Sequence, residues 1–126
     1  MIHCSDTDPL KPYPFETCKH DHIKNRGWSD IGYHYYITTD GTLHPGRDLE
    51  TIGAHVVGFN KCSIGVCYEG GMMGDTRTRE QKLTLLNVLR YLKSLYPDAE
   101  IVGHHDLNPS KSCPNFDARA EYKNIK

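Results

Sequence analysis

The chain has 126 residues, 37% of them hydrophobic and 25% charged, with 15 Lys and Arg against 16 Asp and Glu for a net charge of −1 when histidine is neutral. That length fits one domain with a modest core, and the balance of charge excludes the basic excess through which nucleic-acid binders meet phosphates. No stretch approaches the roughly 20 apolar residues of a membrane span, and MIHCSDTDPLKPY lacks the basic and apolar regions of a signal peptide, so neither a membrane nor a nucleic acid is an expected partner.

In chain order, Ile2-His3-Cys4 predicts a strand that begins almost at the first residue. Pro9, Pro12 and Pro14 break the next stretch, after which Phe15 to Asn25 reads as a helix ending at Gly27. Tyr33 to Ile37 is aromatic and reads as a strand, Thr38-Thr39-Asp40-Gly41 supplies a hairpin turn, and a short strand follows near Leu43. Ser63 to Glu69 is another strand, closed by Gly70-Gly71. The clearest helix runs from about Arg79 to Leu95. Thr78 and Gln81 have the spacing of a capping box, and Leu85, Leu89, Leu92 and Tyr96 repeat on one face. Pro97-Asp98 ends it, Ile101-Val102 reads as a brief buried strand, and a last helix starts at Asp117. No repeat or linker divides residues 1–126, so the expected fold is a single α/β domain, a central mixed β-sheet flanked by α-helices.

The five cysteines are an odd number without the spacing of a secreted disulfide framework, so reduced thiols are expected, with Cys62–Cys67 the one conceivable bridge. Three residues can form a zinc site if the fold brings them together: His3 on the first strand, His104 after Ile101-Val102, and Cys113 nine residues later. Two imidazoles and a thiolate leave one position of the tetrahedron open, the catalytic kind of zinc site. The net charge of +1 that remains lowers the pKa of a bound water toward about 7. On spacing alone the signal is weak, because His and Cys scattered over a hundred residues are usually structural.

HCSDT, RGWSDIGYHYYI, DGTLHPGRD, GAHVVGFN, SIGVCYEGG and GHHDLNPSKSCPNFD follow one another between His3 and Asp117. Together they resemble the zinc-dependent N-acetylmuramoyl-L-alanine amidases, the family of amidase-type phage lysozymes and animal peptidoglycan recognition proteins. The resemblance implies a central mixed sheet flanked by helices, with His3, His104 and Cys113 as the Zn2+ ligands and Tyr33 and Lys111 as catalytic residues. It implies hydrolysis of the amide between the lactyl group of N-acetylmuramic acid and L-alanine, with peptidoglycan as the partner. A short chain with no signal peptide or wall-anchoring module fits a phage or prophage lysin, held in the cytoplasm of the producing cell and acting on the wall after release. Two rival readings are a peptidoglycan-binding module without catalysis and a cytoplasmic amidase that recycles wall fragments. The first typically lacks a zinc ligand, and the second usually has Asp as third ligand and Glu on the strand where Cys67 stands here.

Further expectations attach to single residues. Glu69, two positions after Cys67, is either a back-up proton carrier facing substrate or a solvated strand-end carboxylate. His55 lies in a loop that borders the family's groove and either touches substrate or packs the loop. His105 bonds a neighbour, His34 is a satisfied core histidine, and His20, His22 and His44 are surface residues. Arg47 holds a loop carboxylate or meets the peptide, and Cys4 and Cys67 are buried as small apolar residues. The family's first strand normally starts several residues earlier, which predicts either a weakly anchored His3 or a true start codon upstream.

Overall fold

The computed structural model describes residues 1–125. Four short strands, β1 (Ile2–Cys4), β2 (Tyr35–Ile37), β3 (Leu43–Pro45) and β4 (Val66–Tyr68), form one mixed sheet in the order β1-β4-β2-β3. β4 runs parallel to both β1 and β2, whereas β3 returns antiparallel to β2 through the hairpin. The register sets His3, Cys67 and Tyr36 side by side across the sheet, and it does the same for Cys4, Tyr68 and Ile37. Because side chains alternate along a strand, the first row points to one face and the second to the other.

Each face buries a different helix. On one side α1 (Phe15–Lys24) brings Cys18 against Ile31, Tyr36 and Cys67. On the other, α2 (Arg79–Leu95) brings Leu85, Val88 and Leu89 against Ile2, Cys4, Ile37, Val66 and Tyr68, with α4 (Ala118–Tyr122) closing the end. Each fully buried Leu, Val or Ile in such a layer stabilises by about 1.5–3 kcal/mol. α2 begins in the expected capping box, and the buried Gln81 side chain donates onward to the carbonyls of Ile37 and Glu69. One residue thus caps the helix and ties it to the ends of β2 and β4.

The structure departs from expectation at the sheet's margins. The strands expected over Tyr33–Ile37 and Ser63–Glu69 shrink to three residues each. Tyr33 is not in strand conformation, and the His34 and Tyr35 amides both converge on the Gly65 carbonyl at 2.9 and 3.2 Å. Ile101-Val102 is not a strand. It offers only the Val102 carbonyl to the Ile2 amide before the chain turns into a one-turn helix, α3 (His104–Leu107), too short for any periodic signal. Cys67 is buried in the sheet while Cys62 is exposed, and all five thiols are free, so the Cys62–Cys67 bridge does not form. His3 is firmly held: it is 2% exposed, its strand pairs with β4, and Ile2 bonds Val102. No described helix is long and apolar enough to cross a membrane.

Candidate metal centre

His3 points from β1 toward the α1 face, and the chain brings two further donors to it from the far end of the sequence. His104 opens α3, which starts where Gly103 makes a bridge to Ile2 beside β1. Asp106 accepts from the Gly103 amide at 2.8 Å and holds that turn. The loop after α3 folds back, so that the His105 amide donates to the Cys113 carbonyl at 2.8 Å. The metal-binding atoms of His3, His104 and Cys113 consequently lie within 4.8 Å of one another.

The separation of Cys113 Sγ from His3 Nδ1 is 3.9 Å. Zinc bond lengths to nitrogen and sulfur place two ligands of a tetrahedral ion about 3.6 Å apart, so this pair stands a few tenths of an ångström from a zinc-binding spacing, with His104 converging on it within the 4.8 Å cluster. Two imidazole nitrogens and one sulfur are a borderline-soft donor set suited to zinc. These residues fit the ion.

Their protonation is partly prepared. Burial, then the neighbouring His55 and His104 rings, holds His3 well below the usual imidazole range. Burial, then the Lys111 charge, lowers His104. Both are therefore neutral at pH 7 and able to ligate. The Cys113 thiol is pushed up by its hydrogen bond with the Cys4 thiol and by burial, so it keeps its proton until a cation takes its place. The Cys4 amide, 3.0 Å from Cys113 Sγ, is placed to stabilise the thiolate.

Tyr33 stands beside the centre, its ring 5.3 Å from that of His3 and 5.6 Å from that of His22. Burial raises its pKa well above 10, so the phenol keeps its proton. It lines a depression of about 270 Å³ with Ser5, Tyr13, Asp21 and Arg26 among others. Lys111 is exposed, two residues before Cys113, with its charge felt at His104. An apolar groove of about 470 Å³ lined by Phe59, Leu92 and Tyr96 carries none of these side chains.

Several expected roles change. Glu69 is neither a proton carrier at the site nor a solvated carboxylate. It is 4% exposed, and its two oxygens accept from the amides of Tyr13 and Thr39, joining two loops. Of the two readings of His55, the contacts within the protein agree with packing: Nδ1 meets His3 Nε2 at 2.8 Å and Nε2 meets Ser63 Oγ at 3.3 Å. His22 is buried rather than on the surface, because it accepts the Gly32 amide beneath Trp28. Arg47 grips the carbonyls of Ile31 and Ile52 instead of a carboxylate or peptide. His34 is the satisfied core histidine expected, bonded at Thr51 and Gly65.

The residues that hold the Cys113 loop escaped sequence reasoning. Tyr68 donates to the Pro114 carbonyl at 2.6 Å, and the Asn115 amide donates to the Gly71 carbonyl. Phe116 lies under the Arg77 guanidinium at 3.4 Å, and Arg77 in turn forks onto Asp75 and Glu121. No spacing in the sequence announces a pairing between residues 77 and 121.

A family model described as N-acetylmuramoyl-L-alanine amidase matches residues 1–116. The endolysin of Enterobacteria phage K11 is 40% identical over 122 residues, covering 93% of this chain and 80% of that one. Among solved structures, the endolysin amidase LysCS from Clostridium intestinale superposes with a TM-score of 0.82 at 30% identity, over 99% of this chain and 82% of that one. A Drosophila PGRP-LB variant in complex with tracheal cytotoxin does so with a TM-score of 0.79 at 26% identity, over 98% and 78%. The fold, the motifs and these relatives agree: the chain belongs to the N-acetylmuramoyl-L-alanine amidase family and is an amidase of peptidoglycan.

Proposed function

We propose that His3, His104 and Cys113 hold a zinc ion and that the chain hydrolyses the amide between the lactyl group of N-acetylmuramic acid and L-alanine, as a phage or prophage lysin released onto the wall. The observation that carries this reading is the convergence of three donor atoms, from β1, α3 and the following loop, within 4.8 Å. Three protein ligands leave one position of a tetrahedron for reactants.

When bound, zinc would supply Lewis acidity to the scissile carbonyl and make an attacking water more acidic. The chain's own groups do the rest. As a thiolate, Cys113 would leave an occupied centre with a net charge of +1, and the Cys4 amide is placed to stabilise that sulfur. Lys111 offers a mobile cation to the carbonyl oxygen as negative charge gathers there. Tyr33, kept protonated by burial with its ring 5.3 Å from that of His3, offers a hydrogen bond from its phenol. Cleavage of a glycosidic bond would need two carboxylates facing across the sugar. Glu69 and Asp106 are both engaged with backbone amides and form no such pair.

The test is zinc content and loss of turbidity of a cell-wall suspension, for the native chain and Cys113→Ala. Native protein should hold one zinc and clear the suspension, and the variant should do neither. Full clearing by a zinc-free Cys113→Ala protein would overturn the reading.

A further inference from the structure

The ring of His55 fills a slot cut by two glycines. A Cβ on Gly53 would stand 2.7 Å from its Cδ2, and a Cβ on Gly65 would stand 2.7 Å from its Cγ. Neither glycine has a positive φ, so these positions are small to make room for the ring. The slot lies directly behind His3.

The hydrogen bonds around the ring have only one consistent direction. The Ser63 hydroxyl carries a single hydrogen and donates it to the Phe59 carbonyl at 2.7 Å. Toward His55 Nε2, 3.3 Å away, the same oxygen can only accept, so Nε2 bears the ring's hydrogen. His55 Nδ1 is then a bare lone pair, and its 2.8 Å contact requires an N–H on His3 Nε2. That leaves the lone pair of His3 on Nδ1, the nitrogen 3.9 Å from Cys113 Sγ. Reversing the chain would sacrifice the shorter Ser63 bond and place a hydrogen on the nitrogen that faces Cys113.

We propose that His55, oriented by Ser63, is a positioning residue that sets the tautomer of His3 so that Nδ1 faces the metal. The partner behind a metal-bound histidine is commonly a carboxylate or carbonyl. Here it is a second neutral imidazole, which orients the ligand without adding negative charge, so the charge of the donor set rests on Cys113 alone. The inference deepens the zinc reading above and depends on His3 being a ligand.

The test combines zinc affinity, measured by competition with a chromogenic chelator, and ¹⁵N spectra of the histidine-labelled, metal-free protein. In His55→Asn the side-chain oxygen can stand where Nδ1 stood, and affinity should stay within a few-fold of native. His55→Phe fills the slot without an acceptor and should weaken zinc binding roughly 10- to 100-fold. A packing role alone would rank these variants the other way, since Asn leaves the larger void. Native affinity in His55→Phe, or equal losses in both variants, would overturn the proposal. The spectra need no variant: His3 protonated on Nε2 is expected, and His3 protonated on Nδ1 would overturn it. If the native chain binds no zinc at all, the metal reading falls, and the spectrum still decides the direction of the hydrogen-bond chain.

Discussion

The amide of Cys4 donates to the sulfur of Cys113 at 3.0 Å, so the strand that carries His3 also fixes the ligand 110 residues away from it. That amide is backbone and survives substitution at Cys4, whereas the Cys4 thiol, which hydrogen-bonds the protonated Cys113 thiol, belongs to the α2-face core with Tyr68 and Ile37. Cys4→Ala should therefore keep stoichiometric zinc and lose about 1 kcal/mol of stability from the shortened side chain. Cys113→Ala should lose the metal. Zinc content by atomic absorption and thermal unfolding of both variants would check this, and loss of zinc in Cys4→Ala would refute the assignment of the role to the backbone.

Tyr33 and Lys111 flank the ligands without belonging to them. Tyr33→Phe and Lys111→Ala should retain zinc and each lose on the order of a hundredfold in turnover, the usual cost of one oxyanion donor. Steady-state kinetics on a soluble muropeptide would separate this from a binding defect. Unchanged kcat in both variants would remove them from the mechanism.

Arg77 joins the Cys113 loop to the C-terminal helix. Its side chain is 1% exposed, and Asp75 and Glu121 share it with Phe116. Burial alone would raise the Asp75 carboxyl, but the Arg77 hydrogen bonds and charge outweigh it and hold it below the usual range. The Arg77 hydrogen bond likewise lowers Glu121. A carboxyl lowered in the folded state contributes stability that is present above its unfolded pKa of about 4 and lost as pH falls through the folded value. Arg77→Met should cost about 2–3 kcal/mol at pH 7, less than a fully buried pair because both carboxylates reach solvent. It should also flatten the acid limb of the stability curve below pH 4. Denaturant titrations at pH 7 and pH 3 would measure both effects. An equal loss for Arg77→Met at the two pH values would contradict the ion-pair account.

Zinc uptake should release about one proton at pH 6.5, because His3 and His104 are already free of their extra proton whereas the Cys113 thiol still carries the one it must lose to ligate. Isothermal titration calorimetry in buffers of different ionisation enthalpy would count it. Near-zero release would mean that sulfur is not a ligand.

Much of this was legible in the sequence where a local rule operates. The α2 helix followed from its leucine spacing and capping box, and Thr78 and Gln81 behave as their spacing predicts. The three candidate ligands sat inside motifs, and the fold brings their donor atoms together. What stayed hidden depends on tertiary partners. Glu69 looks like any strand-end carboxylate until the Tyr13 and Thr39 amides arrive from two distant loops. His55 and Ser63 are eight residues apart in a loop, and only the fold of β1 sets His3 against them. α3 is a single turn held by Asp106, below the length at which periodicity speaks.

The central claim concerns which bond is cut and by what, and one measurement addresses both. Purified peptidoglycan is digested with the native chain, with and without prior zinc chelation, while new amino termini and new reducing ends are quantified side by side. The account predicts new N-terminal L-alanine with no rise in reducing sugars, abolished by chelation and restored by added zinc. New reducing ends without N-terminal alanine, or alanine release that survives complete removal of zinc, would contradict it.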